Sequence, residues 1–216
     1  MPHIDRYVLT HTVDWMATHV EIGNAIPVCA VNLSGHSLCD PVFKEFVVSC
    51  LKNNPQLCGY LSFEVTETAA VSNLAVAAEF MNEVISFGCT FALDDFGSGM
   101  SSFTYLKNLP VDYVKIDGAF VKDILSDPTS LAMVKAISDI ATVMQIKSIA
   151  EFVENQEIRD ELLGLGIDFV QGYGVARPAS LANYEIRSAS LLRSGAAMGD
   201  HVEPLPVEGF VLNTPN

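Results

Sequence analysis

The sequence predicts an α/β fold of parallel strands and helices, arranged as a TIM-like βα barrel. Two observations predict this fold. Short apolar runs rich in β-branched residues alternate with longer stretches of helical periodicity, which is typical of βα units. A polar residue also stands at the carboxyl end of each apolar run, where βα barrels build their sites. The 216 residues, half of them hydrophobic, suffice for one core.

The apolar runs predict six strands, fewer than the eight of a closed barrel of this kind, so an incomplete barrel is expected. These strands are placed at 28–31, 61–65, 90–93, 113–116, 148–150 and 169–170. Helical periodicity predicts helices at about 41–51, 69–87, 130–144 and 155–164. The second helix is expected to stop at Gly88, a residue suited to a helix C-terminus. A last amphipathic helix is predicted after residue 185, and a poorly ordered tail from Gly199.

Composition excludes several classes of protein. The chain has 26 acidic and 12 basic residues and a net charge of −14, so it lacks the basic stripe that a nucleic acid polymer requires. The five cysteines form no C-x-x-C pair, which is typical of reduced thiols in the cytoplasm. No signal sequence is visible, and no stretch approaches the ~20 apolar residues of a membrane span. A cytoplasmic chain with no membrane segment is expected.

The informative side chains are the polar ones at the ends of the predicted strands. They are Asn32, Glu64, Asp94, Asp95, Lys115, Glu151 and Gln171. Because the carboxyl ends of parallel strands meet at one mouth, these groups are expected to converge. Four carboxylates and two amides suit an oxygen-rich site for Mg²⁺ or Mn²⁺. Any single aspartate after a strand is also typical of a helix N-cap, but six strands that end alike favour a site.

One long motif carries a family resemblance. The stretch DDFGSG at 94–99 continues through SSF at 101–103, YLK at 105–107 and LPVD at 109–112 to VKID at 114–117. Flanking motifs are VNLS at 31–34, FEVTE at 63–67, IAE at 149–151, VE at 153–154 and QGY at 171–173. Together they resemble EAL domains, the bacterial cyclic di-GMP phosphodiesterases. The resemblance covers about residues 1–185, and 186–216 is expected to form a C-terminal helix and tail.

The resemblance implies a barrel of the EAL type that hydrolyses cyclic di-GMP to pGpG with two divalent ions, Mg²⁺ or Mn²⁺. It implies metal-holding roles for Asn32, Glu64, Asp94, Asp95 and Glu151.

Further roles follow from the same resemblance. Lys115 and Glu151 are expected to be catalytic, with Lys115 beside the attacking water. Glu67 is also placed in the catalytic set, because it orders the loop that begins at Asp94 and couples this loop to a homodimer. Substrate-binding roles are implied for Gln171, Asp117 and Glu154.

The sequence also departs from the family pattern. The Glu-Ala-Leu motif that names the family, with its metal-binding glutamate and a nearby arginine, is absent, so the chain begins downstream of it. A truncated chain, a natural gene remnant and a chain completed by a partner all remain open, as do missing upstream regulatory domains. Phe152 stands where the family usually has glycine and is expected to crowd Glu151, and Met100 replaces a common aromatic residue.

Two functions therefore stay open. One is a metal-dependent phosphodiesterase for cyclic di-GMP, favoured by the site residues that are present. The alternative is a catalytically degenerate EAL domain that acts as a cyclic di-GMP receptor or as a protein-interaction scaffold.

Overall fold

A computed structural model of the chain describes residues 1–21, 28–98 and 104–181. Within these residues six strands form one parallel sheet, and their order in the sheet is their order in the chain. The strands are β1 Cys29–Leu33, β2 Leu61–Thr66, β3 Thr90–Phe96, β4 Tyr113–Ile116, β5 Lys147–Ala150 and β6 Phe169–Val170. Sequential parallel strands joined by helices are the arrangement of a βα barrel. The prediction of an α/β, TIM-like and incomplete barrel is confirmed.

Eight α-helices of the described residues cover the outside of this sheet. They are α1 Pro2–Glu21, α2 Gly35–Leu38, α3 Pro41–Asn53, α4 Glu67–Ser72, α5 Leu74–Ile85, α6 Gly118–Lys122, α7 Pro128–Met144 and α8 Gln156–Gly164. Two 3₁₀ turns lie at Pro55–Tyr60 and Leu106–Asn108. Asp40 and Asp127 cap α3 and α7, and in both helices the first residue is a proline, which has no N–H that needs a partner.

The helix predicted at 69–87 is wrong in one respect, because the structure divides it in two. Asn73, with φ −146°, is not helical and separates α4 from α5. The Thr66 side chain accepts a hydrogen bond from the N–H of Ala69 and so starts α4 earlier than predicted. Gly88 follows the end of α5 with φ +99°, a conformation that glycine adopts without the Cβ penalty of other residues.

The predicted carboxyl ends of two strands are too early. Asn32 lies within β1, and Asp94 and Asp95 lie within β3, rather than after these strands. The polar residues stay in the sheet because they pair in register, Asn32 with Glu64 and Asp94 with Thr66. Pairing between β3 and β4 is irregular between Leu93 and Phe96, which is where the two aspartates lie.

The core lies between the sheet and its helices. Phe63 of β2 and Phe91 of β3 are fully buried, with ring centroids 5.5 Å apart, and Phe80 of α5 packs edge-on against Phe91. Leu9 and Met16 of α1 are also fully buried, so the first helix belongs to the same core. Burying each of these side chains contributes about 2–3 kcal/mol to folding. The apolar stripe of α5 is therefore a packing surface.

Two further expectations bear on the ends of the chain and on membranes. The helix predicted after residue 185 and the tail from Gly199 lie outside the described residues. Across the residues described, every helix is too short or too polar to cross a membrane.

Candidate active site at the carboxyl ends of the strands

Lys115 of β4 is the centre of a buried charged cluster. Its ammonium Nζ lies 2.9 Å from Glu64 Oε2, 3.0 Å from Asp94 Oδ1 and 2.8 Å from Glu151 Oε1. Glu64 belongs to β2, Asp94 to β3, and Glu151 follows β5 directly. Only 2% of the lysine side chain is exposed. Four elements of the sheet thus bring one cation and three carboxylates to a single point, as the strand ends predicted.

Burial and like charges set the ionisation of this cluster. Burial acts to lower the pKa of Lys115, but attraction to Glu64, Glu151 and Asp94 outweighs it and holds the pKa above its ordinary value. Burial raises the pKa of Glu64, and the attraction of Lys115 offsets this only in part. Burial likewise raises the pKa of Glu151 to about 7. The pKa values of Lys115, Glu64 and Glu151 are thus all raised, that of the lysine by the surrounding carboxylates and those of the two glutamates by burial. Because three carboxylates share one ammonium, negative charge remains in excess.

One carboxylate oxygen of the cluster, Asp94 Oδ1, has an ion-pair partner but lacks a hydrogen-bond donor among the described residues. The contact between Lys115 Nζ and Asp94 Oδ1 is an ion pair without hydrogen-bond geometry, so this buried oxygen has no hydrogen-bond donor among the described residues. Oxygens of Asp94, Asp95 and Glu151 also lie within 4.8 Å of one another. A cation would satisfy the buried oxygen and neutralise the excess charge, so the donor set fits a hard divalent ion.

Asp95 lies beside Asp94 in an unusual backbone conformation. Its φ is +54°, at the irregular end of β3. Burial raises its pKa, and the charges of Asp94 and Asp117 raise it further. A left-handed aspartate costs conformational free energy, and such residues concentrate at functional sites. The conformation brings Asp95 into the carboxylate group, as the sequence predicted.

Glu67 accepts hydrogen bonds from two residues that follow Asp94 in the chain. It is the first residue of α4, and only 3% of it is exposed. Glu67 Oε2 accepts a hydrogen bond from the N–H of Gly97 at 3.0 Å, and Glu67 Oε1 accepts one from the hydroxyl of Tyr105. The sequence placed Glu67 at this loop but gave Tyr105 no role. A tyrosine eleven residues after Asp94 carries no signal of its own.

Two predicted residues lie at the same end of the sheet but outside the ion-pair cluster. Asn32 is the register partner of Glu64 and is exposed to solvent. Gln171 comes directly after β6, where its N–H donates to the carbonyl of Ala150 and its carbonyl accepts from the N–H of Val153. Strand register therefore brings both to the mouth.

Two other predicted residues have different surroundings. Asp117 caps α6, with its Oδ1 accepting a hydrogen bond from the N–H of Ala119 at 2.8 Å, so its carboxylate has a structural task. It still faces the site closely enough to raise the pKa of Asp95. Glu154 is exposed and lies in the segment after β5. Their substrate-binding roles remain predictions.

Phe152 lies beside the cluster. It has φ +55°, a conformation that favours glycine, and half of the residue is exposed. A Cβ built on Gly118 would lie 2.0 Å from Phe152 Cδ2, so the ring packs directly on the Gly118 backbone. The ammonium Nζ of Lys122, the last residue of α6, lies 4.3 Å from the centroid of the Phe152 ring. Glu151 still reaches Lys115 at 2.8 Å, so the phenylalanine coexists with the ion pair.

This fold and this site define a family. A six-stranded parallel βα sheet carries a lysine and acidic residues at its carboxyl ends, and the family model described as "EAL domain" matches residues 1–178. The chain belongs to the EAL domain family.

Curated relatives agree with this assignment. The chain is 42% identical over 186 residues to cyclic di-GMP phosphodiesterase PdeB of Shewanella oneidensis, covering 85% of the chain and 21% of that protein. It is 38% identical over 180 residues to cyclic di-GMP phosphodiesterase PdeF of Escherichia coli, covering 82% of the chain and 24% of that protein. The chain thus spans about a fifth to a quarter of the length of these relatives.

Solved structures give the same fold. The EAL domain of Xanthomonas citri FimX in complex with c-diGMP superposes with a TM-score of 0.78 at 26% identity, covering 86% of the chain and 73% of that domain. The EAL domain of Mycobacterium smegmatis DcpA superposes with a TM-score of 0.75 at 30% identity, covering 82% of the chain and 80% of that domain.

Proposed function

We propose that the chain is the catalytic part of a metal-dependent cyclic di-GMP phosphodiesterase that forms pGpG. The observation that carries this proposal is the buried group of Lys115, Glu64, Asp94 and Glu151, in which one carboxylate oxygen has no hydrogen-bond donor within the described residues. Relatives named as cyclic di-GMP phosphodiesterases and the FimX complex support the choice of substrate. Residues 1–185 would form the EAL unit.

The residues that would hold the metal are carboxylates and one amide. They are Asn32, Glu64, Asp94, Asp95 and Glu151, and the ion is Mg²⁺ or Mn²⁺, which prefer such oxygen ligands. When bound, two divalent ions lower the pKa of a coordinated water and neutralise charge on the phosphate and on the leaving oxygen. The excess negative charge around Lys115 favours their binding.

The chain's own residues supply position and charge. Lys115 stays protonated at neutral pH because three carboxylates surround it, so it can donate a hydrogen bond to the attacking water but cannot remove a proton from it. Water adds its oxygen to one phosphorus, the bond from phosphorus to the 3′ oxygen breaks, and that oxygen gains a proton. The ring opens and pGpG keeps the phosphate. Gln171, Asp117 and Glu154 would contact the substrate around this centre.

The segment after Asp94 has a second proposed role. Glu67 accepts hydrogen bonds from Gly97, near the start of this segment, and from Tyr105, beyond its middle. The position of one buried carboxylate therefore fixes the backbone at Gly97 and the side chain of Tyr105. A homodimer formed through this segment would act on the site through Glu67. Because the chain covers only part of its relatives' length, upstream regulatory domains belong to the same proposal.

The test is hydrolysis by the purified chain. It is incubated at stoichiometric concentration with cyclic di-GMP and Mn²⁺ or Mg²⁺, and pGpG is measured by chromatography with and without EDTA. We expect EDTA-sensitive pGpG, and loss of turnover in Glu64→Gln. The matched control is Glu79→Gln on the surface of α5, which should keep the full rate. A full rate in Glu64→Gln would overturn the metal assignment.

The alternative function is a cyclic di-GMP receptor or scaffold without turnover. Phe152 favours it, since a left-handed phenylalanine follows the site residue Glu151 directly. Binding of cyclic di-GMP by a folded chain that yields no pGpG would establish the receptor, and absence of both would leave the scaffold.

A further inference from the structure

Asp5 of α1 is a buried carboxylate with a specific set of partners. Only 6% of the residue is exposed. Its Oδ2 accepts hydrogen bonds from the N–H of Ser34 at 2.9 Å, from the hydroxyl of Ser34 at 2.7 Å and from the hydroxyl of Ser37 at 2.6 Å. Three donors on one carboxylate oxygen fix it firmly, because hydrogen bonds to charged groups are stronger than neutral ones.

These donors stand where β1 leaves the sheet. Ser34 is the first residue after β1 and lies two residues from Asn32. Within the described residues β1 pairs with β2 along one edge. The Asp5 carboxylate holds the end of the same strand from the helical layer. A slip at Ser34 would move Asn32 relative to its register partner Glu64.

The same turn also touches the element that begins with Glu67. A Cβ on Gly35, the first residue of α2, would lie 3.1 Å from the Cβ of Ala69 in α4, so the two helices pack in close contact there. The anchored turn therefore stands between α1 and two site elements, the end of β1 and the start of α4.

We propose that Asp5 is a positioning residue of the metal site, which acts by fixing the end of β1 that carries Asn32. The inference rests on the proposed function, because it requires Asn32 to hold metal. Asp5 contacts Ser34 and Ser37 and would act on the metal only through Asn32. Residues that orient metal ligands typically contribute about 10- to 100-fold to metal affinity.

The experiment measures Mn²⁺ affinity of the folded chain by calorimetric titration, so it needs no turnover. Asp5→Asn is expected to weaken Mn²⁺ binding about tenfold. The matched control is Asp127→Asn, because Asp127 also accepts hydrogen bonds from two backbone N–H groups and a serine hydroxyl, at the start of α7. This control should lower the melting temperature yet keep Mn²⁺ affinity within twofold.

A double-mutant cycle separates positioning from general stability. Asn32→Ala should weaken Mn²⁺ binding by itself, and adding Asp5→Asn should then cause no further loss, because Asp5 acts through Asn32. Independent, additive losses would overturn the proposal, as would unchanged affinity in Asp5→Asn or an equal loss in Asp127→Asn.

Two further outcomes are decisive. If Asp5→Asn does not fold, Ser37→Ala removes one of the three hydrogen bonds, and unchanged Mn²⁺ affinity in that variant would overturn the proposal. A wild-type chain that binds no Mn²⁺ would overturn the proposed function and this inference together. A wild-type chain that binds Mn²⁺ with an affinity independent of Asn32 would overturn this inference alone.

Discussion

The two ends of the same sheet use lysine and acidic residues in opposite ways. At the carboxyl end, Lys115 is buried and lies within 3.0 Å of three carboxylates. At the amino end, the Lys147 side chain is 61% exposed and forms an ion pair with Asp168 at 2.6 Å. The first pairing concentrates charge around a lysine that is almost fully buried, and the second leaves it at the surface.

The aspartates differ in the same way. At the amino end, Asp112 accepts a hydrogen bond from the N–H of Phe91 and Asp168 accepts one from the N–H of Ser148, so both brace neighbouring strands. Partial burial acts to raise the pKa of Asp168, but hydrogen bonds from Lys147 and Ser148 hold the pKa below its ordinary value. At the carboxyl end burial raises the pKa of Asp95. Carboxylates with backbone donors stabilise the fold, whereas those without them remain available for a cation.

Replacing the two lysines gives the largest expected contrast. Lys115→Met leaves three buried carboxylates without their cation, and breaking a buried pair in this way costs about 3–5 kcal/mol in the free energy of unfolding without metal. Lys147→Met should cost less than about 1 kcal/mol, as is usual for an exposed pair. Urea unfolding in EDTA measures both.

Divalent metal sharpens this contrast. Saturating Mn²⁺ should restore part of the stability of Lys115→Met, because a cation bound by the native state stabilises it. It should leave the small difference between Lys147→Met and wild type unchanged. Equal losses in the two variants would contradict the distinction between the two ends.

The pH dependence of stability should differ between the ends. Folding raises the pKa of Glu151 from its ordinary 4.5 to about 7, so between these values the folded chain binds more protons than the unfolded chain. Stability in EDTA should therefore fall as pH rises through this window, by about 3 kcal/mol for this group. Urea midpoints at intervals between pH 5 and 8 measure the fall.

This experiment uses one variant at each end of the sheet, Glu151→Gln at the carboxyl end and Asp168→Asn at the amino end. Glu151→Gln should make the dependence between pH 5 and 8 shallower, and the raised pKa values of Glu64 and Asp95 account for what remains. The pKa of Asp168 is lowered by folding, so its contribution is lost only as pH falls below about 4. Asp168→Asn should therefore leave the window above pH 5 unchanged, and a flattened profile in that variant would contradict the assignment to Glu151.

The carboxyl end also has a carboxylate that fixes the backbone, Glu67, which has both a backbone donor and a side-chain donor. Tyr105→Phe should destabilise the chain by about 1.5–3 kcal/mol, the usual contribution of a hydrogen bond to a charged group. It should also raise KM for cyclic di-GMP several-fold, since the segment after Asp94 loses one fixed flank. Tyr60→Phe, at a partly exposed tyrosine, is the control. Unchanged stability and KM would show that Gly97 alone suffices.

The smallest effect is expected for the strand braces. Asp112→Asn keeps an acceptor for the N–H of Phe91 and should cost about 0.5–1.5 kcal/mol, with no change in Mn²⁺ affinity. A loss of Mn²⁺ affinity in this variant would show that the amino end also shapes the site.

Most of the fold follows from local pattern. The six apolar runs become the six strands, because a run of β-branched residues bounded by turn residues has one favourable way to bury itself between helices. The break at Asn73 is not predicted, since the apolar stripe continues through it and no side-chain cap hydrogen bond marks the start of α5. The strand ends were misplaced at Asn32 and Asp94, because pairing with β2 extends the strands beyond their apolar residues.

The sequence by itself determined which polar residues lie near the carboxyl ends of the strands, and therefore that Glu64, Asp94, Lys115 and Glu151 would meet. Parallel strands in chain order allow no other arrangement of their carboxyl ends. Only the tertiary structure decided how these groups share charge, that Tyr105 and Gly97 hold Glu67, and that Asp5 anchors the end of β1. These contacts join residues that are 29 to 38 positions apart in the chain, where periodicity carries no information and three-dimensional packing alone sets the distance.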